Sequence, residues 1–185
     1  MAVAYEDRDR TLGRAEYEDL VRRGVLEDAH VELLYGRIVS MSPIGGPHVY
    51  SVKRLGKALV LALGDRADVH IQSPFAAPDE SEPQPDVAVV PGGDYLQEAP
   101  SKAWLIIEVA ESSLARDRAK AALYAAAGVT EYWIVNIPDA RIEVYREPGP
   151  TSYARLTHHG RGERLALVAY PDVELVVADV LPPPA

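Results

Sequence analysis

Two acidic residues interrupt apolar runs where a carboxylate is costly. Glu108 breaks the run Trp104-Leu105-Ile106-Ile107-Glu108-Val109-Ala110, and Asp86 opens the run Asp86-Val87-Ala88-Val89-Val90. Both runs are β-branched or aliphatic and read as short buried strands. A lone carboxylate there must be compensated by a cation, a proton or several hydrogen bonds. Asp86 stands near the start of one strand and Glu108 near the end of the other. If the strands are antiparallel neighbours, the two carboxylates meet and offer oxygen ligands to a hard divalent cation. Magnesium commonly takes one or two carboxylates, keeps waters and uses substrate phosphate for the rest.

A third element follows on a helix. Asp117, Lys120, Tyr124 and Ala127 fall on one stripe by three- and four-residue spacing. Leu123 and several alanines flank the stripe, so it faces the protein. A lysine on such a face needs an acidic partner, and Asp86 and Glu108 are the candidates. Beside a metal, a lysine can orient water or offset charge in phosphoryl transfer. Glu32 begins another strand, either as a third acid near the cation or as an exposed hairpin residue. His48, in the first turn of a long helix, is placed to meet a phosphate, although packing is the commoner role there. Gln72, at a strand end, is a candidate to point into the same cleft. Arg116 and Arg118 are candidate phosphate contacts; a solvated helix end is the alternative. Tyr124, Tyr132 and Trp133 read as core.

The elements that must position these residues are legible in outline. A first helix covers residues 14–23, with Leu12, Tyr17, Leu20 and Val21 on one face and Gly24 as its stop. Strands 31–35 and 38–41 form a hairpin about Gly36-Arg37. A long helix starts near Pro47 and runs to about Leu63, with Val49, Val52, Leu55, Leu59 and Ala62 as its apolar stripe. Strand 69–75, a polar loop 77–85, and the Asp86 and Glu108 strands come next. Ser112-Ser113 can cap a helix over residues 114–127, which Gly128 ends. Strand 131–137 and its hairpin partner 141–146 follow, and residues 153–157 and 173–177 supply edge strands. Residues 181–185 read as a frayed tail. The pattern predicts an α/β (α+β) fold of one domain over residues 1–185: a mixed central β-sheet flanked by helices, with peripheral hairpins.

Composition narrows the chemistry. The 185 residues contain no cysteine, so thiolate metal sites and disulfides are excluded and any metal must use oxygen or imidazole ligands. The polar N-terminus shows no secretory signal, and no stretch approaches a membrane span, which is compatible with the cytoplasm. A net charge of −9 argues against coating nucleic acid by bulk electrostatics. It is compatible with a metal-dependent nuclease whose basic groups are local. His158-His159 makes a poor shared metal site, because neighbours on a strand point to opposite faces.

In chain order the sequence carries Glu32-Leu33-Leu34-x-Gly36-Arg37-Ile38-Val39, Met41-Ser42-Pro43, His48, Pro85-Asp86-Val87-Ala88-Val89-Val90 and Ile107-Glu108-Val109. Ser112-Ser113, Asp117-x-x-Lys120, Tyr124 and Gly128-Val129-x-Glu131-Tyr132-Trp133-Ile134-Val135 complete the series. This pattern resembles the PD-(D/E)xK nuclease superfamily, and within it the bacterial Uma-two family of restriction-endonuclease-like proteins. The resemblance implies a restriction-endonuclease-like fold and a DNA phosphodiesterase dependent on Mg2+ or Mn2+. It implies Asp86 and Glu108 as metal ligands and Lys120 and Glu32 as further catalytic residues. The superfamily places its lysine two residues after the glutamate, where this chain has Ala110; the resemblance transfers that role to Lys120 on the next helix. The competing expectations are a nuclease-like scaffold that binds nucleic acid or protein without cutting, and a homodimer paired through its edge strands.

Overall fold

Alternation along two buried strands organises the molecule. In the strand Leu105–Ala110 (β5), Leu105, Ile107 and Val109 join one apolar cluster, while Ile106 and Ala110 join another on the opposite face. The strand Val87–Val90 (β4) divides in the same way, Val87 and Val89 to one side and Ala88 and Val90 to the other. This period of two is what a sheet covered on both faces requires. The structure, a computed structural model, describes residues 11–27 and 29–184.

The first elements are the helix Arg14–Arg22 (α1), the hairpin Val31–Leu34 (β1) and Arg37–Ser40 (β2), and the long helix Gly46–Leu63 (α2). A short 3-10 turn, Gly64–Arg66, leads into Asp68–Ile71 (β3). After β4 and β5 come the helix Leu114–Ala126 (α3), Glu131–Asn136 (β6), Arg141–Pro148 (β7) and Tyr153–Gly160 (β8). Arg164–Ala166 (β9), Glu174–Val176 (β10) and the single turn Val177–Val180 (α4) close the chain. Strands β3 to β8 form a six-stranded sheet in sequential order. Every pairing in it is antiparallel except β5–β6, which is parallel. A parallel pair needs a crossover, and α3 supplies it. Helix α2 covers one face through Val52, Leu55, Leu59 and Leu63; α3 covers the other through Ala121, Leu123 and Tyr124. The fold is therefore the mixed sheet with flanking helices that the sequence predicts.

Several details differ from the sequence reading. Strand β3 stops at Ile71 rather than 75, because Gln72 turns into the left-handed region with φ 47° and Pro74 follows. On α2 the buried face includes Ser51 and Gly56, so Val49 and Ala62 point outward. A Cβ on Gly56 would lie 2.8 Å from Ile71 Cδ1, so glycine is what lets the helix approach β3. On α1 Tyr17 is buried but Val21 is exposed. Strand β9, absent from the sequence reading, pairs with β10 in a separate two-stranded sheet. The frayed tail expected from residue 181 is anchored at its start, since Leu181 is buried and Arg161 donates to the Pro182 carbonyl. The polar residues 1–10 lie outside the described residues. Among the described residues, no helix is long and apolar enough to cross a membrane.

Candidate active site

The ladder between β4 and β5 places the two acids. Val87 pairs with Ile107 in antiparallel register, so the next position outward sets Asp86 opposite Glu108. Both residues share the face of Ala88, Ile106 and Ala110, against which α3 packs. Each is almost fully buried: Asp86 is 7% exposed and Glu108 4%.

Asp86 is held by three donors. Its Oδ2 accepts the Val109 amide at 2.8 Å and lies 3.0 Å from His48 Nε2. Its Oδ1 accepts Gln72 Nε2 at 3.3 Å. His48 arrives on the first turn of α2, and its Nδ1 is buried with no hydrogen-bond partner. Burial alone would lower the His48 pKa, but the Asp86 contact outweighs it and raises the value. Gln72 reaches Asp86 from its left-handed turn, a conformation that costs about 1–3 kcal/mol outside glycine and is common at functional sites. With these bonds, Asp86→Ala would strand the Val109 amide as well as relieve acid–acid repulsion.

Glu108 faces α3. Its Oε1 accepts Lys120 Nζ at 3.0 Å and the Tyr124 hydroxyl at 2.8 Å. Lys120 also donates to Glu32 Oε2 at 2.8 Å, and that same oxygen accepts the Gln84 amide at 3.3 Å. Lys120 is 5% exposed and Glu32 1%, so Glu32 is no exposed hairpin residue; its contact is with the lysine. Asp117 takes the Ser113 hydroxyl at 2.5 Å, so Ser113 serves a carboxylate and makes no side-chain cap to the helix backbone.

Five carboxyl groups, those of Glu32, Asp86, Glu108, Glu111 and Asp117, thus line the cleft with one ammonium and one imidazole. Burial, with smaller pushes from Asp117, Asp86 and Glu32, outweighs the pull of Lys120 and raises Glu108 to about 8. Burial would lower the Lys120 pKa, yet Glu108 and Glu32 hold it above its ordinary value, so the ammonium stays charged. Burial likewise raises Asp117 against its Ser113 bond.

The donor set suits a hard cation that brings waters with it. Both protein donors to Glu108 reach Oε1, which leaves Oε2 to accept a cation, and Asp86 stands directly opposite. Among the described residues, no group of three or more His, Asp or Glu is placed to hold a metal ion by itself.

Seven of the residues singled out in the sequence line one cleft: Glu32, His48, Gln72, Asp86, Glu108, Arg116 and Lys120. Arg116 stands at the rim, where its guanidinium donates to the Ser40 carbonyl at 2.6 Å. Arg118 turns away and forks onto Glu143 at 2.9 and 2.6 Å, which removes it as a phosphate contact. The Tyr124 hydroxyl is a site contact that core packing alone did not reveal. Its position four residues after Lys120 was the available signal.

The chain as a whole has counterparts among known proteins. The model of the Uma2, or Uma-two, family, described as "Putative restriction endonuclease", matches residues 14–178. The chain belongs to the Uma2 family. Among solved structures, this Uma2 protein resembles one described as a putative nuclease of DUF820 from Anabaena variabilis. That match has a TM-score of 0.65 at 12% identity, covering 81% of this chain and 88% of the other. At that identity the likeness establishes the shared fold. No curated protein matches the chain significantly.

Proposed function

We propose that this Uma2 protein is a Mg2+- or Mn2+-dependent endonuclease that hydrolyses phosphodiester bonds in DNA. The observation that carries the reading is the direct opposition of Asp86 and Glu108 in the β4–β5 ladder, with the Lys120 ammonium 3.0 Å from Glu108. Asp86 and Glu108 would hold the cation, which when bound supplies Lewis-acid polarisation of the phosphate and a more acidic water.

The chain's own residues account for the remaining demands of phosphoryl transfer. Lys120 keeps a fixed positive charge in a site from which most water is excluded, and there it offsets negative charge building on the phosphate. Tyr124 and Lys120 together fix the carboxylate of Glu108. The Val109 amide, His48 and Gln72 fix that of Asp86. Arg116 at the rim and His48 at the start of α2 are suited to flanking phosphates. Family membership and the shared fold support this reading.

A second reading, a scaffold that binds without cutting, is favoured by the net charge of −9. Incubation with varied DNA and RNA in Mn2+, with Asp86→Asn as control, separates the two. Cleavage that needs both the ion and Asp86 supports the enzyme. Binding of Mn2+ with every substrate left intact refutes it.

A further inference from the structure

We infer that Glu32 is a positioning residue for Lys120 and not a ligand of the cation. This rests on the metal-dependent reading above and assigns the third acid a separate task. Glu32 arrives on β1, which among the described residues pairs with β2 and, through one bridge from Leu33, with Glu82, outside the six-stranded sheet. Both of its contacts fall on Oε2, from Lys120 Nζ and the Gln84 amide. It does not join Asp86 and Glu108 in a three-acid group fit for a metal. What it touches is the lysine, which bridges it to Glu108.

The bridge has a consequence for cation binding. Lys120 already occupies Oε1 of Glu108 at 3.0 Å, so it competes with any cation for that carboxyl group. Glu32 divides the lysine's attraction. When Glu108 is committed to a cation, Glu32 still gives the ammonium a charged partner and keeps it aimed into the site. Without Glu32, the lysine has only Glu108 and clamps it. Glu32 therefore acts on the cation through Lys120.

A double-mutant cycle read by Mn2+ binding, measured by calorimetry without substrate, tests this. Glu32→Gln alone is expected to weaken Mn2+ binding about tenfold, the size typical of coupling within one charged network. Lys120→Met alone is expected to tighten it, because Glu108 is released. In the Lys120→Met background, adding Glu32→Gln is expected to change affinity by less than about threefold. Equal weakening by Glu32→Gln in both backgrounds would make Glu32 a ligand and overturn the assignment. No weakening in the wild-type background would also overturn it. If Glu32→Gln alone fails to fold, Lys120→Met and the double variant still decide: equal Mn2+ affinities support the positioning role, and a weaker double variant refutes it. A wild-type protein that binds no Mn2+ defeats the metal reading itself, an outcome distinct from additive variants of a protein that does bind.

Discussion

Replacing Glu108 by glutamine should change how stability depends on pH more than it changes stability at acid pH. In the folded protein burial holds the Glu108 carboxyl up to about 8, against 4.5 for an ordinary glutamate. Between those values the folded state keeps a proton that the unfolded state has released. Stability must then fall as pH rises through this window. Integrated from about pH 5 to about pH 8, the loss is about 3 kcal/mol, since each pKa unit is worth about 1.4 kcal/mol. Glutamine keeps an acceptor for Lys120 and Tyr124 but has no proton to lose. Urea unfolding in a chelator, run on both proteins across that range, isolates the term because the other titrating groups are common to both. Near pH 5 the two should be similar. Near pH 8 the variant should be more stable by about 3 kcal/mol. A stability difference that stays constant with pH would show that Glu108 is already ionised against Lys120, and the account of the site's electrostatics would fail. Saturating Mn2+ should restore the wild type at the alkaline end by mass action.

Other outcomes follow from single contacts. Asp86→Ala should cost about 1–3 kcal/mol in urea unfolding, because the Val109 amide loses its acceptor, and should abolish any rise in melting temperature with Mn2+. Tyr124→Phe should cost about 1 kcal/mol by the same assay while leaving Mn2+ binding in place. Arg118→Ala breaks the fork onto Glu143; with Arg118 partly exposed, the loss should be about 1–2 kcal/mol. Glu143 is held down to about 2: burial opposes this, and the Arg118 and Asn136 hydrogen bonds win. That stabilisation is present above about pH 4.5 and disappears as pH falls toward 2. If the protein binds DNA, Arg116→Ala should lower affinity and reduce the slope of log affinity against log salt by roughly 0.7–0.9; an unchanged slope would remove Arg116 from the phosphate track.

The parts of the site that could be read from sequence are those in which a residue violates its surroundings. A carboxylate amid Leu105, Ile106, Ile107 and Val109 calls for a partner, and so does Lys120 on a stripe flanked by alanines and leucine. Their convergence then follows from antiparallel register and the β5–α3–β6 crossover. What stayed hidden depends on tertiary approach. Nothing local couples His48 to Asp86, 38 residues apart, or Glu32 to Lys120, 88 apart. The stripe of α2 was misjudged at Val49 because hydropathy gives no credit to Ser51 or Gly56, which are buried for fit. Strand β9 spans three residues, too few for a readable alternation. Gln72 ended its strand early through a backbone conformation that its residue type does not announce.

Glu131 offers a different lesson. It belongs to the family-like stretch that begins at Gly128, and its side chain is fully buried, yet it lies away from the cleft. Its Oε1 accepts Arg146 Nε at 2.7 Å and its Oε2 the Val168 amide at 2.6 Å. One carboxylate thereby fastens the sixth strand to the seventh and to the loop that joins the two strands of the final ribbon. An acid embedded in a recognisable signature can thus be a rivet rather than a tool. Trimming the chain ahead of Val168 would leave that rivet with an empty hole, so the closing ribbon is part of what keeps the sheet's centre sound.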